Sequence, residues 1–325
     1  MQEGWEGACI LRNWRAHFTR RDDHLRPNNE YYRRVETLHA LCYHSGLPHL
    51  AINRIASRSP VDAKPSTTDR YSALRGTLAL PFALVWALLS MVVMALLVIV
   101  LPSVMYRHRT AAIRLWGRGI LAILGIHLDI VGNEHLDTPE ARVIMFNHIN
   151  LLDLPVIASC WRDELTVLYK REFHNIPMMG FLMHFFGMIP INRGNIEDAK
   201  QSLEQAGQKI VAAGNKVLIS PEGTRNPTPR TMLPFKKGPF HLVLETKAPI
   251  QLLVMTGNHA IARGLDQPLR SGTVQIDFPP PIATAEWTET TLDSHMDEVR
   301  NLFLHYVNPA SADSPQTDSF ESSNK

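Results

Sequence analysis

The 325-residue sequence has little cysteine, almost no net charge and no serine-nucleophile motif, and each shortage removes a class of function. Cys9, Cys42 and Cys160 lie far apart, with no Cys-x-x-Cys pair and no Cys/His ligand cluster. A disulfide framework and a thiolate metal site are thereby excluded, and reduced thiols with no metal and no cofactor are expected. Net charge is only +2, so there is no global basic field of the kind that marks a nucleic-acid binder. No Gly-x-Ser-x-Gly segment occurs, which argues against the nucleophile elbow of an α/β hydrolase.

Charge is also missing from one long stretch. Leu78 to Leu101 is a run of 24 residues without Asp, Glu, Lys or Arg, longer than the ~20 a helix needs to cross a bilayer. It starts too late to be a secretory signal. Arg58, Lys64, Arg70 and Arg75 precede it and Arg107, Arg109, Arg114 and Arg118 follow, so flanking charge does not orient it. A membrane span and a helix immersed in one leaflet both remain open. Ile113, Trp116, Ile120, Ile123 and Leu124 then share one face at helical spacing.

The chemistry-bearing residues sit in two short motifs. Asn147-His148-Ile149-Asn150-Leu151-Leu152-Asp153 follows the apolar strand candidate Val143–Phe146 and leads into a helix candidate. A histidine held by a carboxylate can take a proton from a hydroxyl near neutral pH, with the carboxylate fixing the imidazole tautomer. That spacing alone also fits a helix N-cap aspartate beside a loop histidine. The second motif, Ser220-Pro221-Glu222-Gly223-Thr224-Arg225, follows another apolar strand candidate, Lys216–Ile219. By itself it also fits a surface turn with one ion pair.

Together, in this order, the two motifs resemble those of the glycerolipid acyltransferase family typified by lysophosphatidate acyltransferase. That family carries Asn-His-x4-Asp and Phe-Pro-Glu-Gly-Thr-Arg. Between them lies a glycine-rich segment ending in arginine, matched by Gly187-Met188-Ile189-Pro190-Ile191-Asn192-Arg193. A Val-Pro-Ile-Val-Pro-like strand follows, matched by Ala248-Pro249-Ile250-Gln251-Leu252. The resemblance covers residues 113 to 280. Ser220 departs from the usual aromatic and Leu252 from a second proline, which leaves acceptor preference open rather than the chemistry.

The resemblance implies a membrane-bound acyltransferase with its catalytic domain on the cytoplasmic face. It would move a fatty acyl group from an acyl thioester, acyl-CoA or acyl carrier protein, to the hydroxyl of a lysophospholipid. The default acceptor is 1-acylglycerol-3-phosphate, giving phosphatidate. His148 is then the general base and Asp153 its orienting partner. Arg193 and Arg225 are candidates for an acceptor phosphate, because a guanidinium presents a fork of donors to oxyanions. Glu222 would position one of those arginines or an acceptor hydroxyl, Gly223 would allow close backbone approach, and Thr224 would donate a hydrogen bond. Lys236 and Lys237 precede a helix start, a favourable place for an anion. The alternatives are another lysolipid acceptor and a catalytically silent lipid-binding scaffold of the same fold.

Four segments are expected. Residues 1–70 form a polar extension of unknown role. Residues 71–126 form a membrane-associated helical segment, with the apolar run 78–101 and an amphipathic helix 110–126. Residues 127–308 form the acyltransferase domain and 309–325 a disordered tail. Between 127 and 308, strand and helix patterns alternate, which predicts an α/β fold with a mostly parallel sheet flanked by helices.

Overall fold

The computed structural model describes residues 68–192, 194–228, 230–262 and 269–308. The expected extension up to residue 67, the tail and Arg193 lie outside the described residues, as do Cys9 and Cys42. Cys160 is buried and free.

The chain begins with three helices, α1 (Thr68–Val100), α2 (Pro102–Arg107) and α3 (Arg109–Leu124). Strand β1 (Ile126–Val131) and strand β2 (Arg142–Phe146) follow, then α4 (Asp153–Ser159), β3 (Leu165–Lys170), α5 (Met179–Phe185) and β4 (Ile189–Ile191). Next come α6 (Ile196–Ala213), β5 (Lys216–Ile219), α7 (Lys237–Thr246) and β6 (Ile250–Thr256). A short α8 (Asn258–Ile261), β7 (Gly272–Asp277) and α9 (Leu292–Val307) close the domain.

The seven strands form one sheet in the order β1-β7-β6-β2-β5-β3-β4. All pairs are parallel except β6 with β7. The expected mostly parallel α/β fold is therefore present, with an antiparallel step near one edge. Every residue of β2 and β5 is buried, as a central parallel strand requires when both faces are covered. Alternate residues serve opposite layers. Val143, Met145, Val217 and Ile219 pack with Phe240, Val243 and Phe303 from α7 and α9. Ile144, Phe146 and Leu218 pack with Ile113, Ile120 and Leu124 of α3 and Val156 of α4.

Helix α1 starts ten residues before the charge-free run, and Pro81 lies inside it. It pairs with α2 and α3 as a helical hairpin. Trp86 lies against Gly119, where an added Cβ would come within 2.2 Å of the indole nitrogen. The other side of α3 meets α4 at Gly117, whose Cβ would lie 2.6 Å from the Pro155 carbonyl oxygen. Glycine at these two positions lets three helices approach closely, and α4 is the helix that opens with Asp153. Both ends of α1 touch the domain. Ser271 donates its backbone N–H to the Ser72 carbonyl, and Met94, Ala95 and Val98 pack with Leu182 of α5. Between those contacts Leu78, Phe82, Val85, Leu88 and Leu89 stand exposed, as do Ile99 and Val100 at the end of the helix. An apolar face of this extent is uncommon in water.

Candidate active site

Three neighbouring parallel strands deliver the site. The chain leaves β2 at Phe146, β5 at Ile219 and β6 at Thr256, and the register sets Met145 beside both Ile219 and Leu252. The loops that follow thus emerge side by side at the carboxyl ends of the strands, where open α/β sheets bind ligands.

His148 Nδ1 lies 2.7 Å from Asp153 Oδ2. A carboxylate only accepts, so Nδ1 carries the proton and Nε2 presents its lone pair. Asp153 is buried, and the same Oδ2 accepts the backbone N–H of Ile149 at 2.6 Å and of Asn150 at 3.0 Å. The other oxygen, Oδ1, accepts Asn258 Nδ2 at 2.8 Å. His148 keeps 21% of its side chain exposed, enough for Nε2 to meet a substrate.

The loop around this pair is fixed by amide side chains. Asn147 donates Nδ2 to the Met255 carbonyl and accepts the Met255 N–H on Oδ1, both at 2.8 Å. Asn150 donates Nδ2 to the carbonyls of Asn258, at 3.1 Å, and Ala262, at 2.9 Å. Asn147 thus serves the fold of the loop.

The second motif closes on the first. Asn226 donates its backbone N–H to the His148 carbonyl at 2.7 Å. Glu222 is buried, with Oε1 accepting the His148 N–H at 3.3 Å and Oε2 the Leu233 N–H at 2.9 Å. Burial pushes its carboxyl above the usual carboxylate range, opposed chiefly by those two amides and by the nearby His148 imidazole. Both its oxygens therefore hold backbone, while Thr224 and Arg225 stand exposed on the outer side of the turn. Gly223 adopts φ 68°, and an added Cβ would come 3.3 Å from Lys236 Cγ.

Lys236 and Lys237 part company. Lys236 donates its backbone N–H to the Pro221 carbonyl at 2.8 Å, which brings it into the Glu222–Arg225 turn. Lys237 Nζ is drawn to Asp293 at 2.8 Å on the α9 side. The structure thus brings His148, Asp153, Glu222, Gly223, Thr224, Arg225 and Lys236 together and turns the Lys237 side chain elsewhere. It adds two residues that sequence reasoning missed as site components, Asn150 and Asn258. Asn258 follows β6 by two positions, and its only sequence signal was that strand. His259, which has no sequence pairing with a carboxylate, feels the Asp153 charge, although burial lowers its affinity for a proton.

Comparison with known proteins bears on what this geometry belongs to. The acyltransferase family model matches residues 127–256, from β1 to the end of β6. That stretch holds both motifs, and its match is a likeness to the acyltransferase family. The 1-acyl-sn-glycerol-3-phosphate acyltransferase of Cocos nucifera is 28% identical over 203 residues, 62% of this chain and 63% of that protein. The human 1-acyl-sn-glycerol-3-phosphate acyltransferase alpha is 28% identical over 225 residues, 68% of this chain and 79% of that protein. The Saccharomyces cerevisiae enzyme of the same name is 27% identical over 180 residues, 55% of this chain and 59% of that protein. The chain thus spans less than two thirds of the coconut protein's length. The crystal structure of the 1-acyl-sn-glycerophosphate (LPA) acyltransferase PlsC from Thermotoga maritima shares the fold. Its TM-score is 0.53 at 19% identity, covering 70% of this chain and 96% of that one.

Proposed function

We propose that this protein is a membrane-attached acyltransferase that moves a fatty acyl group from an acyl thioester to the free hydroxyl of a lysophospholipid. The acceptor is 1-acylglycerol-3-phosphate and the product phosphatidate. The observation that carries this reading is the 2.7 Å contact between His148 Nδ1 and buried Asp153, in a domain whose relatives are named for this reaction.

His148 Nε2 takes the proton of the acceptor hydroxyl as its oxygen attacks the thioester carbonyl. Asp153 stabilises the imidazolium that forms. The tetrahedral intermediate collapses with cleavage of the carbon–sulfur bond, and the thiolate leaves and is protonated from the imidazolium. The thioester is already activated, so no covalent acyl-enzyme is needed. Arg225 and Lys236 border the same loop, and neither side chain forms an ion pair among the described residues. They supply positive charge for the acceptor phosphate, the role that the sequence motif also assigns to Arg193.

The donor is acyl-CoA or an acylated carrier protein, and the domain faces the cytoplasm, where such thioesters are made. Attachment runs through α1. Because α1 is tied to the domain near Ser72 and again near Val98, a helix leaving the domain to cross the bilayer would break one of those contacts. Insertion into one leaflet keeps both and buries the exposed apolar face. Purified protein in detergent, offered labelled acyl-CoA and a panel of lysolipids, tests the reading. Transfer to 1-acylglycerol-3-phosphate above all other acceptors is the expected result, and preference for a different lysolipid would replace the acceptor named here.

A further inference from the structure

We propose that Asn258 is a positioning residue for the transfer reaction, holding the Asp153 carboxylate in the orientation that fixes His148. This rests on the reading of His148 and Asp153 as the base pair. The two oxygens of Asp153 are served differently. Oδ2 takes His148 and two backbone amides of its own loop, whereas the donor on Oδ1 is Asn258 Nδ2 at 2.8 Å. Asp153 and Asn258 are 1% and 0% exposed, so solvent has no easy route to replace that donor. Without it, one oxygen of a buried carboxylate would stand unpaired, and only the contacts on Oδ2 would resist turning about the Cβ–Cγ bond.

The far side of Asn258 supplies an independent observation. Its Oδ1 is buried without a hydrogen-bond partner. Reversing the amide would aim that oxygen at Asp153 Oδ1, two acceptors face to face. The carboxylate therefore dictates the orientation, and the orphaned oxygen follows from it. The backbone is built to deliver this side chain. Gly257 turns the chain at φ 90°, where a Cβ would lie 2.6 Å from the Thr273 carbonyl oxygen. Asn150, from the histidine loop, then clasps the Asn258 carbonyl at 3.1 Å. Strand β6 thus supports a dyad that β2 and α4 carry. Glu222 and His259 complete the surroundings, the former accepting the His148 amide and the latter within electrostatic reach of Asp153.

Asn258→Leu removes the donor while keeping the branching of the side chain, though with bulkier methyl groups, and Asn258→Asp keeps the shape while replacing the donor with a carboxyl. Both are made in the full chain and purified in detergent. For Asn258→Leu, kcat should fall about 10- to 100-fold, the worth of one hydrogen bond to a charged group, with KM for both substrates unchanged. A second readout needs no substrate. In protein labelled with 15N-histidine, the ring N–H signal that disappears in His148→Ala reports the His148–Asp153 bond. That signal should move and broaden in both Asn258 variants. Wild-type kcat, or a signal unchanged in position and width, would overturn the proposal, the latter even if activity fell. If Asn258→Leu does not fold, Asn258→Asp is read the same way, and failure of both to fold assigns Asn258 to the fold and ends the proposal. A wild-type protein that acylates nothing would end the acyltransferase reading while the histidine signal still decides the role of Asn258.

Discussion

The backbone amide of Asn226 donates to the carbonyl of His148 at 2.7 Å, so the loop carrying the candidate base and the loop carrying Arg225 are tied directly through backbone. Glu222 stitches the same two loops from below, giving one carboxylate oxygen to the His148 amide and the other to the Leu233 amide. A change in the second motif therefore reaches the histidine through backbone, without touching a substrate.

Glu222→Gln tests that stitching. A glutamine side chain has one acceptor oxygen, so one of the two backbone amides is left facing an NH2 group. The expected cost is about 1–3 kcal/mol, seen as a lower melting temperature, together with reduced kcat. A pH signature accompanies it. The folded-state pKa of Glu222 is raised, so the folded protein binds this proton more tightly than the unfolded chain. Its contribution to stability is present below the unfolded value and is lost as pH rises from there through the folded value. The melting advantage of wild type over Glu222→Gln should accordingly shrink as pH rises across that window. An advantage constant with pH would remove Glu222 as its source.

The two adjacent lysines should behave unequally. Lys236→Ala and Arg225→Ala are expected to raise KM for a phosphate-bearing acceptor while leaving KM for the thioester donor nearly unchanged. Lys237→Ala breaks only an exposed pair with Asp293 and should leave both constants alone, since such pairs contribute about 0–1 kcal/mol. Arg225→Lys should restore part of the affinity, because an ammonium lacks the planar fork. Steady-state kinetics with both substrates varied decides the matter. Equal losses for donor and acceptor would place these cations at the donor instead.

Much of this arrangement could be read from the sequence, and the reasons for the rest are physical. The apolar runs Val143–Phe146 and Lys216–Ile219 mark two central strands, and both stand in the structure, the first one residue longer at its start. Asn195 caps α6 by accepting the amides of Glu197 and Asp198, and Gly214 ends it in the left-handed region. Asn258 was hidden because a four-residue helix has no period to detect. The direction of β7 was hidden too, since an apolar strand reads alike both ways. Lys236 and Lys237 are equivalent in sequence, and only the packing of α9 separates them. Composition marks only where the apolar run begins, at Leu78, whereas α1 itself starts at Thr68 and takes in a more polar stretch before that run.

The membrane reading is checked by fractionation. The protein should stay with membranes through a high-salt wash and leave them in detergent, because the exposed face of α1 binds through apolar burial rather than charge. Release by salt alone would overturn this. Protease added outside sealed cells should spare both the catalytic domain and residues 1–67, as one-leaflet insertion from the cytoplasmic side requires. Cleavage confined to residues 1–67 would instead mean that α1 spans, and cleavage of the domain would place it outside the cell.

The proposed reaction turns on His148 as the general base of an acyl transfer. The measurement that bears on it most directly is turnover of labelled acyl-CoA with 1-acylglycerol-3-phosphate by purified wild type and His148→Ala, at matched folding and detergent content. The account predicts phosphatidate formation by wild type and a loss of about 10²–10⁴-fold in the variant, with Asp153→Asn lowering kcat more than it raises KM. Turnover by His148→Ala within a few-fold of wild type would contradict it.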